Sequence, residues 1–357
     1  MPKTPSTKNY AAVLPLPGPA WAGSLMGISL LSSLLKTHGF PFAADAFFTL
    51  ACIVAVVIIG GWLIYRSPRF KTEVMPAWAM LSMGLIALGS ASTSVLGDNY
   101  WEFMFFCWAS GTIIGLVAYS LYTSALLRGT AGTPSFTWGL PLVTPMVAST
   151  SAAQLHDHYG STPLLWISFA LFLSTLAVAP LVFARVYFYY FSPHGPRIPL
   201  MATPTSWIPL GMVGQSTAAA QLIGDAFTST TTTRIAIIYG FVMGIISIPL
   251  GAIAHFLFYK AVVKGATYSP TWWASTFPVG TLSLGAHFLA QSTELALFDY
   301  FSLYLLALML FHVIVSTIAG TIAVTKRIVE KLNLQSSNDS SKFMHIEVSQ
   351  LNRKNNK

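Results

Sequence analysis

Long apolar runs alternate with short polar breaks along the chain, and the runs have the length that crosses a bilayer core, about 20 residues of helix. Ten such runs can be drawn: 11–35, 43–65, 75–96, 100–127, 136–155, 163–191, 205–224, 234–263, 271–291 and 298–324. The breaks hold residues that end helices and prefer water, such as Arg66-Ser67-Pro68-Arg69, Gly97-Asp98-Asn99, Arg128-Gly129-Thr130 and His156-Asp157-His158. After Lys326-Arg327 the apolar pattern stops. The pattern predicts a tail over 1–10, an all-α polytopic domain of ten transmembrane helices over 11–326, and a polar, disordered tail over 327–357.

The odd-numbered spans share a layout that the even ones mostly lack: an early proline followed by small and hydroxyl residues. It reads Pro17-Gly18-Pro19-Ala20-Trp21-Ala22-Gly23-Ser24 in the first span and begins at Pro76 in the third, Pro145 in the fifth and Pro209 in the seventh. The ninth reads Phe277-Pro278-Val279-Gly280-Thr281-Leu282-Ser283. One helical hairpin repeated five times would give this pattern. Each proline is expected to kink its helix, and carbonyls freed at membrane depth must face protein or water. The odd helices therefore belong inside and the even ones against lipid. Five parallel inner helices collect their N-termini on one side, where each supplies about half a positive charge of dipole field. A pore built this way favours anions without a charged side chain. Close helix packing is the plainer use of the same small residues.

Composition supports insertion in a membrane. Hydrophobic residues make up 54% and charged residues 8% of the 357, against ~25% charged in an ordinary soluble domain; mean hydropathy is +0.64. The net charge of +8 does not point to nucleic acid, because the basic residues are scattered between apolar runs. With the N-terminus inside, Lys3, Lys8, Arg66, Arg69, Lys71, Arg128, Arg185, Arg197, Lys260 and Lys264 fall on the cytoplasmic side, leaving Lys36 and Arg234 opposite. That asymmetry places both termini in the cytoplasm. The first apolar run lacks the layout of a cleaved signal peptide and is expected to be retained. Cys52 and Cys107 each lie in an apolar run and read as small core residues. No convergent set of His, Asp, Glu or Cys marks an enzyme, and no cofactor or metal is expected.

Two stretches carry a family likeness. Pro204-Thr205-Ser206-Trp207-Ile208-Pro209-Leu210-Gly211-Met212-Val213-Gly214-Gln215-Ser216 and Trp272-Trp273-Ala274-Ser275-Thr276-Phe277-Pro278-Val279-Gly280 resemble the tellurite-resistance/dicarboxylate transporter family. That family includes bacterial TehA proteins, malic acid permeases, sulfite efflux pumps and plant slow anion channels. The resemblance implies five helical hairpins in quasi-five-fold symmetry around a central pore. It also implies transport of a small anion, a homotrimer in the lipid bilayer, and a bacterial plasma membrane as the setting. In the channel branch a phenylalanine of the ninth helix blocks the pore, and the motif places it at Phe277.

Individual residues leave alternatives open. Phe277 is either a pore gate or one packing aromatic among 24 phenylalanines, and Phe288 lies three turns along nearly the same face as a second candidate obstruction. His287 is either a titratable group in an inner helix or a neutral packing histidine; the second reading is favoured for His255 and His312. Gln215, Ser216 and Thr217 in the seventh span, with Thr281 and Ser283 in the ninth, either donate hydrogen bonds to a passing anion or bond helix to helix. His156 and His158 lack the further ligands a metal would need. An anion channel and a proton-coupled dicarboxylate or sulfite carrier both fit this sequence.

Overall fold

The computed structural model describes residues 14–355; the tail expected over 1–10 and the first residues of the first span lie outside them. Among the described residues ten α-helices follow one another: α1 (Ala22–Thr37), α2 (Pro41–Tyr65), α3 (Met75–Leu96), α4 (Trp101–Leu127), α5 (Gly139–Tyr159), α6 (Thr162–Phe191), α7 (Ile208–Ala226), α8 (Thr230–Val263), α9 (Thr276–Thr293) and α10 (Ala296–Asn355). The described residues contain no strand.

Every odd helix continues directly from a 3-10 turn: Pro19–Trp21, Thr72–Val74, Phe136–Trp138, Leu200–Trp207 and Pro270–Ser275. In three of the five cases, the fifth, seventh and ninth spans, these turns take up the first residues of the apolar run, so the α-helix begins later than the hydrophobic pattern does. They also change the role of the prolines. Pro145 alone lies inside an odd helix; Pro19 stands in its 3-10 turn, Pro76 and Pro209 in the first two residues of α3 and α7, and Pro278 third in α9. Of the five prolines expected to kink their helices, four thus stand at or before the first turn of theirs. The first four N–H groups of a helix have no intrahelical acceptor, so proline there removes a donor that would otherwise be unpaired.

One compact unit ends at Ile314 and holds the packed helices; the other begins at Val315 and is the rest of α10. In the first unit each odd helix packs on the odd helices before and after it, and α9 returns to α1, so the five close a ring. Each of α1, α3, α5 and α7 also packs on the even helix that follows it. Two hairpins repeat one hydrogen-bonded device. Ser149 and Ser168 join α5 to α6, each hydroxyl donating to the other's carbonyl at 2.7 and 2.8 Å. Ser283 and Ser302 join α9 to α10 in the same reciprocal way, both at 2.8 Å. A buried hydroxyl in an apolar medium needs such a partner, and the pairing lets the two backbones approach.

Among the described residues six helices are long and apolar enough by composition to cross a membrane: the five even ones and α3. The even helices expose large apolar side chains, among them Val56, Ile113, Leu181, Ile245 and Tyr304. The other four inner helices are not among these six; their faces touch protein and carry serine, threonine and glycine. In the second unit the backbone is helical to Asn355. No glycine or proline follows Gly320, so no backbone breaker ends the helix.

Candidate functional site

The ring encloses two cavities. One of about 30 Å³ is lined by Gly23, Met26, Met80, Met83, Leu140, Val143, Ile208, Gly211, Trp273, Ala274, Phe277 and Pro278. The other, of about 140 Å³, is lined by Leu30, Ser33, Thr37, Ile86, Ala87, Ser90, Ser94, Val147, Thr150, Ser151, Gln154, Gln215, Phe277, Leu284, His287 and Phe288. That volume holds several waters, since one needs about 10–15 Å³ on this measure. In every odd helix the earlier lining residues face the small cavity and the later ones the large cavity. The five helices therefore run in one direction.

These residues form a stripe on each helix. Gly23, Met26, Leu30, Ser33 and Thr37 in α1 are spaced alternately by three and four. Met80, Met83, Ala87, Ser90 and Ser94 in α3 repeat that spacing, as do Leu140, Val143, Val147, Thr150 and Gln154 in α5. Alternating threes and fours keep side chains on one helical face. Each stripe is apolar at its N-terminal end and hydroxyl- or amide-bearing at its C-terminal end. Serine and threonine hydroxyls and the amides of Gln154 and Gln215 thus line the larger cavity. Gln215 donates from Nε2 to the Thr150 hydroxyl at 2.6 Å, and the Ser90 and Ser151 hydroxyls pair at 2.9 Å.

Among the described residues Phe277 alone lines both cavities. Its side chain is 5% exposed, so the ring stands between the two spaces. Its position follows from glycines on α7. A side chain on Gly214 would overlap the backbone of Thr281 and Leu282, and a Cβ on Gly211 would sit 3.4 Å from the Pro278 ring. The α7 and α9 backbones touch at this point, and Thr281 spans the contact by donating to the carbonyls of Pro278 and Gly211 at 2.8 and 3.4 Å.

Among the described residues no Lys, Arg, Asp or Glu lines either cavity. His287 is the one titratable group among their described lining residues. Its Nδ1 lies 3.2 Å from the Asp299 carboxylate, and Gln291 Nε2 lies 3.2 Å from its Nε2. His38, just past the end of α1, meets the His287 ring edge-on at 5.6 Å and bonds the Ser302 hydroxyl at 2.9 Å. Burial and the neighbouring His287 push the His38 pKa below its ordinary value, against the pull of Asp299.

The residues singled out from sequence divide accordingly. Phe277, Phe288, Gln215 and His287 line the large cavity, and Pro278 lines the small one. Pro19, Pro76, Pro145 and Pro209 line neither. Ser216 bonds the Val213 carbonyl within α7 at 3.1 Å, and Thr281 serves the α7–α9 crossing. Ser33, Ser90, Thr150, Ser151 and Gln154 were not singled out, and neither were Met26 and Met83 beside Phe277. The alternating three-and-four spacing through them is the signal that finds them. Among the described residues no three His, Cys, Asp or Glu side chains group as metal ligands.

Residues 18–322 match the family described as voltage-dependent anion channel. The chain belongs to that family. Its match spans all ten helices up to residue 322 of α10, and the family the sequence resembles is the same one. Over 334 residues the chain is 24% identical to an uncharacterised transporter of Methanocaldococcus jannaschii, covering 85% of this chain and 92% of the relative. Over 317 residues it is 23% identical to a sulfite efflux pump of Arthroderma otae, covering 79% and 84%. This membership makes the chain an integral membrane protein of a family of anion channels and transporters.

Proposed function

We propose that the five parallel helices enclose a pathway for a small anion, that Phe277 closes it, and that both termini are cytoplasmic. The single observation that carries the reading is the place of Phe277, shared by an apolar cavity and a hydroxyl-lined one. The larger cavity offers neutral donors without a carboxylate, which suits an anion that exchanges part of its hydration for O–H and N–H groups. The small cavity lies toward the N-terminal ends of the helices, where the dipoles are positive. Sulfite and C4-dicarboxylates are the substrates proposed first, sulfite because of the relative that pumps it; monovalent anions are the alternative. The surrounding apolar faces of the even helices sit in the bilayer, and a homotrimer in a bacterial plasma membrane is the proposed assembly.

A second reading, a proton-coupled carrier, draws on the cluster of His38, His287 and Asp299. A histidine in the wall of the cavity, bonded to a carboxylate, can take up a proton as the anion passes. One experiment serves both readings. Purified protein in liposomes is expected to pass sulfite, a C4-dicarboxylate, chloride or nitrate, and not potassium. Potassium flux with no anion flux removes the anion pathway. Anion flux that requires an imposed pH gradient, and loses that requirement in His287→Gln, assigns the carrier; flux indifferent to the gradient assigns the channel.

A further inference from the structure

We infer that His312 is the positioning residue of the gate, holding the start of α9 so that the Phe277 ring seats between the two cavities. The inference rests on the reading of Phe277 as the gate. His312 comes from α10 and is 1% exposed. Its Nδ1 lies 3.1 Å from the carbonyl oxygen of Ser275, and its Nε2 lies 2.8 Å from the Tyr259 hydroxyl. A carbonyl only accepts, so Nδ1 carries the hydrogen and donates it to Ser275, while the Tyr259 hydroxyl donates to Nε2. Both ring nitrogens are thereby used, and the tautomer is set by the partners.

Ser275 is where this contact gains its leverage. It is the last residue of the 3-10 turn before α9, two positions ahead of Phe277. Pro278 has no N–H, so it adds no backbone hydrogen bond between α9 and the turn before it. An outside donor to the Ser275 carbonyl supplies a fixed point at that joint. The same imidazole lies edge-on to Trp207 at 5.0 Å between ring centres. Trp207 is the last residue of the 3-10 turn before α7, whose Gly214 touches the α9 backbone. One imidazole therefore touches the joints of both helices that set the position of Phe277, and Tyr259 of α8 holds that imidazole from the far side. A histidine serving only to fill space would leave Ser275 and Tyr259 unlinked.

The experiment is a pair of substitutions at position 312, each measured with and without Phe277→Ala, by anion flux per folded protein in liposomes. His312→Leu removes both bonds and is expected to raise flux severalfold. His312→Asn keeps a donor near the Nδ1 position and is expected to stay close to the parent. In the Phe277→Ala background His312→Leu is expected to add nothing, because the ring it positions is gone. Loss of general packing would instead lower folded yield in both backgrounds. Should His312→Leu fail to fold, Tyr259→Phe takes its place, with a smaller rise expected in the parent and none in Phe277→Ala. Unchanged flux in a well-folded His312→Leu overturns the inference, and so does an equal rise in both backgrounds. Phe277→Ala alone reads the gate itself: if it raises flux and the position 312 variants do not, only the role of His312 fails.

Discussion

Phe277→Ala is expected to raise anion flux by about tenfold or more per folded protein, equivalent to removing ~1.4 kcal/mol from the barrier to passage. The ring is the one side chain common to both cavities, so shortening it to a methyl group merges them. Phe277→Leu retains most of the bulk and is expected to have a smaller effect. An ordinary core phenylalanine behaves differently: truncation to alanine costs ~3–5 kcal/mol of stability and lowers the amount of folded protein. Flux measured against the monodisperse peak in size-exclusion chromatography separates the two. Well-folded Phe277→Ala with flux at or below the parent's takes the gate away from this position, and Phe288, in the wall of the larger cavity, is then tested by the same truncation.

The second large effect is expected at Gly214. Because a Cβ there meets the backbone of Thr281 and Leu282, no change of side-chain rotamer relieves the overlap, and α7 must move away from α9. Overpacking typically costs ~1–3 kcal/mol where neighbouring side chains can yield, and here backbone stands in the way. Gly214→Val is expected to leave little monodisperse protein, and Gly214→Ala to lower the thermal midpoint clearly. Gly244 of α8 provides the control, since a Cβ there meets nothing within 4 Å. Gly244→Ala is expected to be neutral or slightly stabilising, as alanine favours helix over glycine by up to ~1 kcal/mol. Parental yield and midpoint for Gly214→Val contradict the backbone contact that sets the position of Phe277.

The ten helices were legible because a lipid-facing helix must be apolar over helix-spanning length, and the even spans meet that demand residue by residue. The odd helices were legible through their prolines, although the reason differed. Pro76, Pro209 and Pro278 sit where a helix has spare N–H groups, and a linear pattern does not tell a proline that opens a helix from one that bends it. The short 3-10 turns that shift the helix starts were hidden for the same reason, since their residues are as apolar as the helices they lead into. Phe277 was found through a resemblance, and its position between two cavities comes from glycines on another helix. The hydroxyl stripe was missed because Ser90 and Thr150 differ in nothing local from Ser216, which bonds the Val213 carbonyl of its own helix. His312 read as packing, and its role at Ser275 depends on a contact across 37 residues that spacing does not reveal.

The most direct test of the account asks whether Phe277 separates two compartments that open to opposite faces of the membrane. Met80 and Ser90 lie on one stripe of α3, about 15 Å apart along the helix at 1.5 Å per residue, and line opposite cavities. In protein with Cys52 and Cys107 replaced by alanine, each position is changed in turn to cysteine and treated with a membrane-impermeant anionic thiol reagent from either face. With Phe277 present, Met80→Cys is expected to react only from the cytoplasmic face and Ser90→Cys only from the outer face. With Phe277→Ala added, each is expected to react from both. Reaction of both positions from a single face, or no change on removing the ring, contradicts a pathway closed at Phe277.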